Sequence, residues 1–190
     1  DQMNGPFKDF ILNGPGSKFF RQSLTVMKGT FVKGAVFGKG VATKYTNAKL
    51  DAVEFIIEGD FKANLPHGHC RMEYFNKVVV NDGFAGAEDQ AQEGLESRQT
   101  SQIYEGDMLN GLKEGRGVFI NRYTYPAHEL IKHKNIKITE SKYIGEFKQD
   151  APHGYGTLLY ENGSKFVGQF KGGQRAGLGM EVRQFAEAGR

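Results

Sequence analysis

The sequence predicts an all-β solenoid of stacked antiparallel β-hairpins that form a curved or twisted single sheet with loop insertions. Three observations carry the prediction. Glycine is in excess, 26 among 190 residues, roughly twice the usual share. The excess is periodic, because Tyr143-Ile-Gly145-Glu-Phe147 leading to Asp150, His153, Gly154 and Gly156 returns as Phe166-Val-Gly168-Gln-Phe170 leading to Gly173, Gly177 and Gly179. Weaker copies of the pattern start at Tyr104, Ile57 and Met27. Within each copy the first, third and fifth residues share one face of a strand, so a glycine stands between two large side chains and leaves a gap that a ring of the neighbouring hairpin is expected to fill.

Taken in order, residues 1–26 read as a degenerate N-terminal cap. There Phe7 to Phe20 form two strands about an Asn13-Gly14-Pro15-Gly16 turn and cover the end of the stack. The array spans 27–185. Its units start near 27, 57, 104, 143 and 166, at intervals of 30, 47, 39 and 23 residues. In each unit the slot seven residues after the leading side chain holds Gly34, Asn64, Gly111, Asp150 or Gly173, residue types that tolerate φ > 0 in a tight turn. The return strand then sends Ala42, Met72, Phe119 and Leu158 to one face. With 23 residues as the unit, the surplus falls after the return strands, as insertions at about 77–102 and 122–138 that leave the stack on one side. A decayed repeat around Lys77 to Phe84 is an alternative for part of the first. Residues 85–102 carry Glu88, Asp89, Glu93 and Glu96 and read as a mobile acidic loop; the second insertion, with Arg122, Lys132, His133, Lys134 and Lys137, reads as a basic one. Helix is expected only as short pieces in insertions or at the C-terminus, and 186–190 form a tail.

Composition excludes several function classes. A net charge of +3 with mixed signs does not supply the concentrated basic stripe that nucleic acid requires. The one cysteine, Cys70, excludes an internal disulfide and a thiolate-only zinc site. No apolar run is long enough to span a bilayer as a helix. No signal peptide is legible, and a first residue of Asp1 rather than Met leaves a removed presequence open. His67-Gly68-His69-Cys70 has ligand chemistry, but alternate strand positions point to opposite faces, so His67 and His153 read as turn residues and Cys70 as a small buried thiol. Gly14-Pro15-Gly16-Ser17-Lys18 lacks the order of a phosphate loop. No catalytic, cofactor or metal residue is assigned.

The pattern Tyr-x-Gly-x-Phe followed by His-Gly-x-Gly, at a period of 23 residues, resembles the MORN (membrane occupation and recognition nexus) repeat. The resemblance is most specific in the units at Tyr143 and Phe166. Departures are Cys70 in place of the second glycine of its unit, Phe37, Glu114 and Ala176 where His67 and His153 stand, and the long insertions. The resemblance implies a curved or twisted single sheet with an aromatic-lined groove. It also implies settings in cytoskeletal and ciliary scaffolds, in large assemblies, or beside catalytic domains.

The expected function is therefore a non-catalytic scaffold or accessory subunit that binds protein in a larger intracellular assembly, in a cytoskeletal, ciliary or organellar complex. The alternatives are a peripheral membrane module for anionic lipid and a regulatory fragment of a MORN-containing enzyme. Candidate partner-binding residues are Phe31, Phe61, Met108, Phe147 and Phe170, which read first as core packing and second as groove lining. Arg122, Lys132, Lys134 and Lys137 are candidates for an acidic partner or an anionic lipid. At least one loop is expected to become ordered only in a complex.

Overall fold

The computed structural model describes residues 2–78, 99–124 and 139–184. Lys132, Lys134, Lys137, the tail and residues 79–98 of the expected decayed repeat and acidic loop lie outside these residues; at the ends of the insertions, 77–78, 99–102 and 122–124 are strand rather than loop, because they continue the pairing of their hairpins. Among the described residues fourteen strands follow one another: β1 (Gln2–Asn4), β2 (Phe7–Lys8), β3 (Ile11–Leu12), β4 (Gly14–Phe20), β5 (Thr25–Val32), β6 (Ala35–Tyr45), β7 (Val53–Lys62) and β8 (Leu65–Val78) come first. Then come β9 (Gln99–Leu109), β10 (Leu112–Thr124), β11 (Thr139–Lys148), β12 (Ala151–Leu159), β13 (Lys165–Lys171) and β14 (Gln174–Val182). Twelve of them form a single antiparallel sheet in the order β1, β4, then β5 to β14, while β2 and β3 pair separately. The sheet does not close into a barrel, and no helix occurs among the described residues.

The five expected units are the hairpins β5–β6, β7–β8, β9–β10, β11–β12 and β13–β14. Each turns through two residues with φ > 0, such as Ala63 (52°) and Asn64 (69°), the geometry of the turn that matches the twist of its strands. The N-H of the second turn residue donates across to the preceding hairpin, as Gly34 does to Leu12 (2.9 Å), Gly111 to Pro66 (2.8 Å) and Gly173 to Pro152 (3.0 Å). The tips are thereby stitched together, which satisfies donors that a lone hairpin would leave to water.

The N-terminal segment differs from the expectation. Asn13-Gly14-Pro15-Gly16 is not a turn, because Gly14–Phe20 is one strand lying along β5 with Gly16 opposite Gly29. The turn is at Asp9 and Phe10, with φ of 52° and 61°. Met3-x-Gly5-x-Phe7 and Gly14-x-Gly16 thus repeat the spacing of Met27-x-Gly29-x-Phe31 and Gly38-x-Gly40, and the stack has a sixth hairpin built from β1 to β4. Its arms are each broken in two, by Gly5-Pro6 and by Asn13.

The second position of Gly-x-Gly lies opposite a strand glycine on both sides from Gly40 to Gly156, and on one side at Gly16 and at the edge residue Gly179. One row therefore crosses the sheet at right angles to the strands: Gly16, Gly29, Gly40, Gly59, Cys70, Gly106, Gly117, Gly145, Gly156, Gly168 and Gly179. A ring of the neighbouring hairpin approaches the gap at Gly40, where Phe61 is 3.3 Å from the position of a Cβ, but in the last three hairpins the expectation is corrected. Tyr104 covers Gly106 and Gly117, Tyr143 covers Gly145 and Gly156, and Phe166 covers Gly168 and Gly179, each ring folding over the glycines of its own hairpin. Tyr143 is 1% exposed, and burying such a ring stabilises by about 2–3 kcal/mol. Cys70 sits in the row without breaking it, with its thiol donating to the Asp60 carbonyl at 3.3 Å.

Candidate interaction surface

The face that the glycine row shapes is the core. Phe31, Phe61, Met108, Phe147 and Phe170 are all between 1% and 4% exposed and pack with Met27, Ile57, Tyr104, Tyr143 and Phe166 in one cluster. Their first reading, core packing, describes where they are. Groove lining requires accessible rings, and these are not accessible. The rings interlock edge to face in an unbroken chain, alternately between hairpins and along one strand: Tyr104 on Phe147 at 5.1 Å, Phe147 on Tyr143 at 5.1 Å, Tyr143 on Phe170 at 4.9 Å and Phe170 on Phe166 at 5.4 Å. The buried phenols are satisfied by backbone, Tyr104 Oη donating to the Asp107 carbonyl (2.6 Å) and Tyr143 Oη to that of Glu146 (2.9 Å). Burial raises both hydroxyls' pKa, that of Tyr143 to about 12.

His69 and Cys70 lie on opposite faces of β8, as strand alternation requires. The imidazole is exposed beside Asp107 (3.8 Å) and Glu105 (4.0 Å), whereas the thiol is buried. Burial also pushes the Cys70 thiol pKa up, which disfavours the thiolate that a metal or a nucleophilic reaction requires. Arg122 is on the outer face of β10, ion-paired with Glu140 at 3.4 Å. The aromatic candidates therefore face the packed core rather than an open groove.

The face left accessible is the outer one. Where one hairpin meets the next, the residue inside Gly-x-Gly pairs with the residue after the following strand glycine. Lys39 Nζ is 2.8 Å from Asp60, His69 lies beside Asp107, Arg116 is in register with Glu146, and Gln169 Nε2 donates to Tyr155 Oη at 2.7 Å. A second outer row runs alongside and changes character along the sheet. Glu58, Arg71 and Glu105 alternate in sign, with Arg71 3.4 Å from Glu105. From there the row continues in register as Val118, Ile144, Thr157, Val167 and Met180. Val118, Ile144 (41% exposed), Val167 (39%) and Met180 (60%), with Tyr155 (65%) and Leu178 (85%) beside them, form an apolar stripe across the five adjacent strands β10 to β14, about 19 Å long at the usual strand spacing. The signal was present in the sequence as the residue just before the strand glycine, Ile144 and Val167, a position the repeat leaves free.

No helix of the described residues is long and apolar enough to cross a membrane. The family model described as MORN repeat matches residues 58–78, 104–121, 143–165 and 166–184, which correspond to four of the six hairpins. No curated protein matches the chain.

Proposed function

Since the chain is a MORN-repeat protein, and such repeats are modules of protein or membrane interaction, we propose that it is a non-catalytic scaffold or accessory subunit. In this reading it holds a protein partner on the apolar stripe of its last three hairpins, within a cytoskeletal, ciliary or organellar assembly. The observation that carries the proposal is the stripe itself. Contiguous exposed apolar residues on a sheet whose other face is already packed mark an interaction site. A protein partner is favoured over anionic lipid because the stripe itself is apolar and three outer-face cations are already paired with carboxylates, Lys39 with Asp60, Arg71 with Glu105 and Arg122 with Glu140.

The test compares wild type with Ile144→Lys and Val167→Lys in affinity purification from the native source, with far-UV circular dichroism as the control for folding. The proposal requires that a specific set of partners is lost from both variants while the spectra and thermal midpoints stay unchanged. The same partners on wild type and variants would refute it. Liposome co-sedimentation at two salt concentrations addresses the lipid reading, for which binding should fall steeply with salt.

A further inference from the structure

The open edge of β14 presents the backbone groups of an internal junction with no described strand to take them. At internal junctions the second glycine of Gly-x-Gly faces the strand glycine of the next hairpin, as Gly117 faces Gly145 and Gly156 faces Gly168. Gly179 is the same residue of the last hairpin, and β14 ends the sheet. The Leu178 carbonyl is turned toward β13, 2.8 Å from the position a Cβ on Gly168 would take. Because successive peptide groups alternate, the N-H and C=O of Gly179 and Glu181 face the open side. The edge is nine residues long, contains no proline and is exposed along nearly all its length; its charges, Arg175 and Glu181, are on the core side. The other end of the sheet is blunted, since β1 has three residues and is followed by Gly5-Pro6.

Another hairpin does not fit there. Where the preceding return strands send Ala42, Met72, Phe119 and Leu158 into the core, β14 carries Glu181, paired with Arg175 (3.0 Å) and Arg183 (2.9 Å). Arg175 in turn lies 5.1 Å from the centre of the Phe166 ring. This charged group closes the core, and the leading aromatic residue of a seventh hairpin would have to desolvate it. On the outer side the same strand is apolar through Leu178, Met180 and Val182. Leu178 occupies the slot that elsewhere chooses its junction partner by chemistry, so it calls for an apolar neighbour.

We propose that β14 accepts one extended segment of a partner protein by antiparallel strand addition. A glycine of that segment lies opposite Gly179, apolar side chains lie opposite Leu178 and Met180, and a polar one lies opposite Glu181. This deepens the scaffold reading, on which it rests, by naming the form of the partner's contact. A second copy of β14 in the same register would set Arg175 against Arg183, and like charges directly opposite disfavour such a pair.

The test titrates an end-blocked peptide, Ser-Thr-Val-Thr-Val-Gly-Val-Thr-Ser, into the isotope-labelled 190-residue chain. Saturable shifts are expected on β14, with amide exchange at Gly179 and Glu181 slowed by about tenfold or more. Replacing the peptide glycine with sarcosine, which removes one of the bonding N-H groups, should abolish binding. Met180→Lys should weaken it about fivefold or more at an unchanged thermal midpoint. Absence of shifts up to the solubility limit would overturn the proposal. So would protection of the Gly179 and Glu181 amides without peptide, or a peptide-free dimer that Met180→Lys dissociates. Ile144→Lys, three strands from the edge, should leave peptide binding intact, so the strand proposal and the stripe reading can fail separately.

Discussion

A methyl group added at Gly156 measures how the glycine row and the ring above it depend on each other. Gly156 lies in extended backbone that alanine can adopt, so the cost of Gly156→Ala is set by space alone. The new Cβ would stand 2.5 Å from Tyr143 Cε2 and 2.6 Å from Cζ, and its three nearest neighbours, the hydroxyl oxygen included, all belong to that side chain. The ring has little room to give. It is held edge to face by Phe147 and Phe170 at 5.1 and 4.9 Å and tied by its hydroxyl to the Glu146 carbonyl. Overpacking of about 1–3 kcal/mol, with about 1 kcal/mol for the strained hydrogen bond, gives an expected loss of about 2–4 kcal/mol. At roughly 2–4 °C per kcal/mol for a chain of this size, the thermal midpoint falls by about 4–16 °C. In a Tyr143→Ala background, itself costing about 3–5 kcal/mol, the obstacle is gone. Alanine then loses less chain entropy than glycine, and the same substitution should be neutral or stabilising by about 0.5 kcal/mol. Urea unfolding of the four proteins of this cycle, followed by circular dichroism and tyrosine fluorescence together, reads the coupling. An equal cost of Gly156→Ala in both backgrounds would refute the argument that the ring is what requires glycine.

Burial first, and the Glu146 charge second, push the Tyr143 hydroxyl up to about 12 from its ordinary 10, so folding favours the neutral phenol. That contribution is fully present below pH 10 and is lost as pH rises through 12; Tyr143→Phe should flatten the fall of the thermal midpoint in this window while costing about 1 kcal/mol at neutral pH. Ala63 holds φ at 52°, a conformation that costs a residue with a Cβ about 1–2 kcal/mol, so Ala63→Gly should raise stability by about 1 kcal/mol in urea unfolding. Gly172→Ala, at φ of 58° with open space around it, should lower stability by a similar amount; no change in either would show that turn strain is unimportant. Cys70 is 1% exposed, so iodoacetamide should label it only as fast as the sheet opens, with a rate rising steeply in urea. Rapid labelling in buffer would mean that the middle of the glycine row is not closed.

The hairpins of the second half were legible because their requirements are local. A turn needs φ > 0 at fixed positions, and a ring needs a glycine beneath it, so the spacing survives in the letters. The first hairpin was obscured because two of its signals misled: Phe10 stands in a slot that favours Gly, Asn or Asp, and Gly14-Pro15-Gly16 resembles a turn. The spacing of eleven residues from Gly5 to Gly16, shared with Gly29 to Gly40 and Gly145 to Gly156, identifies it. The candidate surface was misplaced for a different reason. Aromatic residues recur conspicuously because the core requires them, and what the core requires is buried. Ile144 and Val167 stand where the repeat makes no demand, so no periodicity points to them.

That separation explains how one repeat can serve different partners. The glycine row fixes register at every junction, so a substitution on the outer face does not shift the pairing of any strand. Outer positions can therefore change singly, as the step from Glu105 to Val118 to Ile144 along one row shows. Over the first hairpins this freedom is used for complementary pairs such as Lys39 with Asp60, which favour each hairpin beside its proper neighbour. Over the last three it is used for apolar residues that meet no described neighbour. Junction pairs exposed to water contribute only about 0–1 kcal/mol each, too little to account for the stability of the stack. Their stronger effect is on register, because exchanging the charges of Lys39 and Asp60 together preserves the pair, whereas reversing either alone opposes like charges at one junction. The apolar stripe has no such internal use: it adds nothing to the packed face behind it, which is why the proposed partner is placed there.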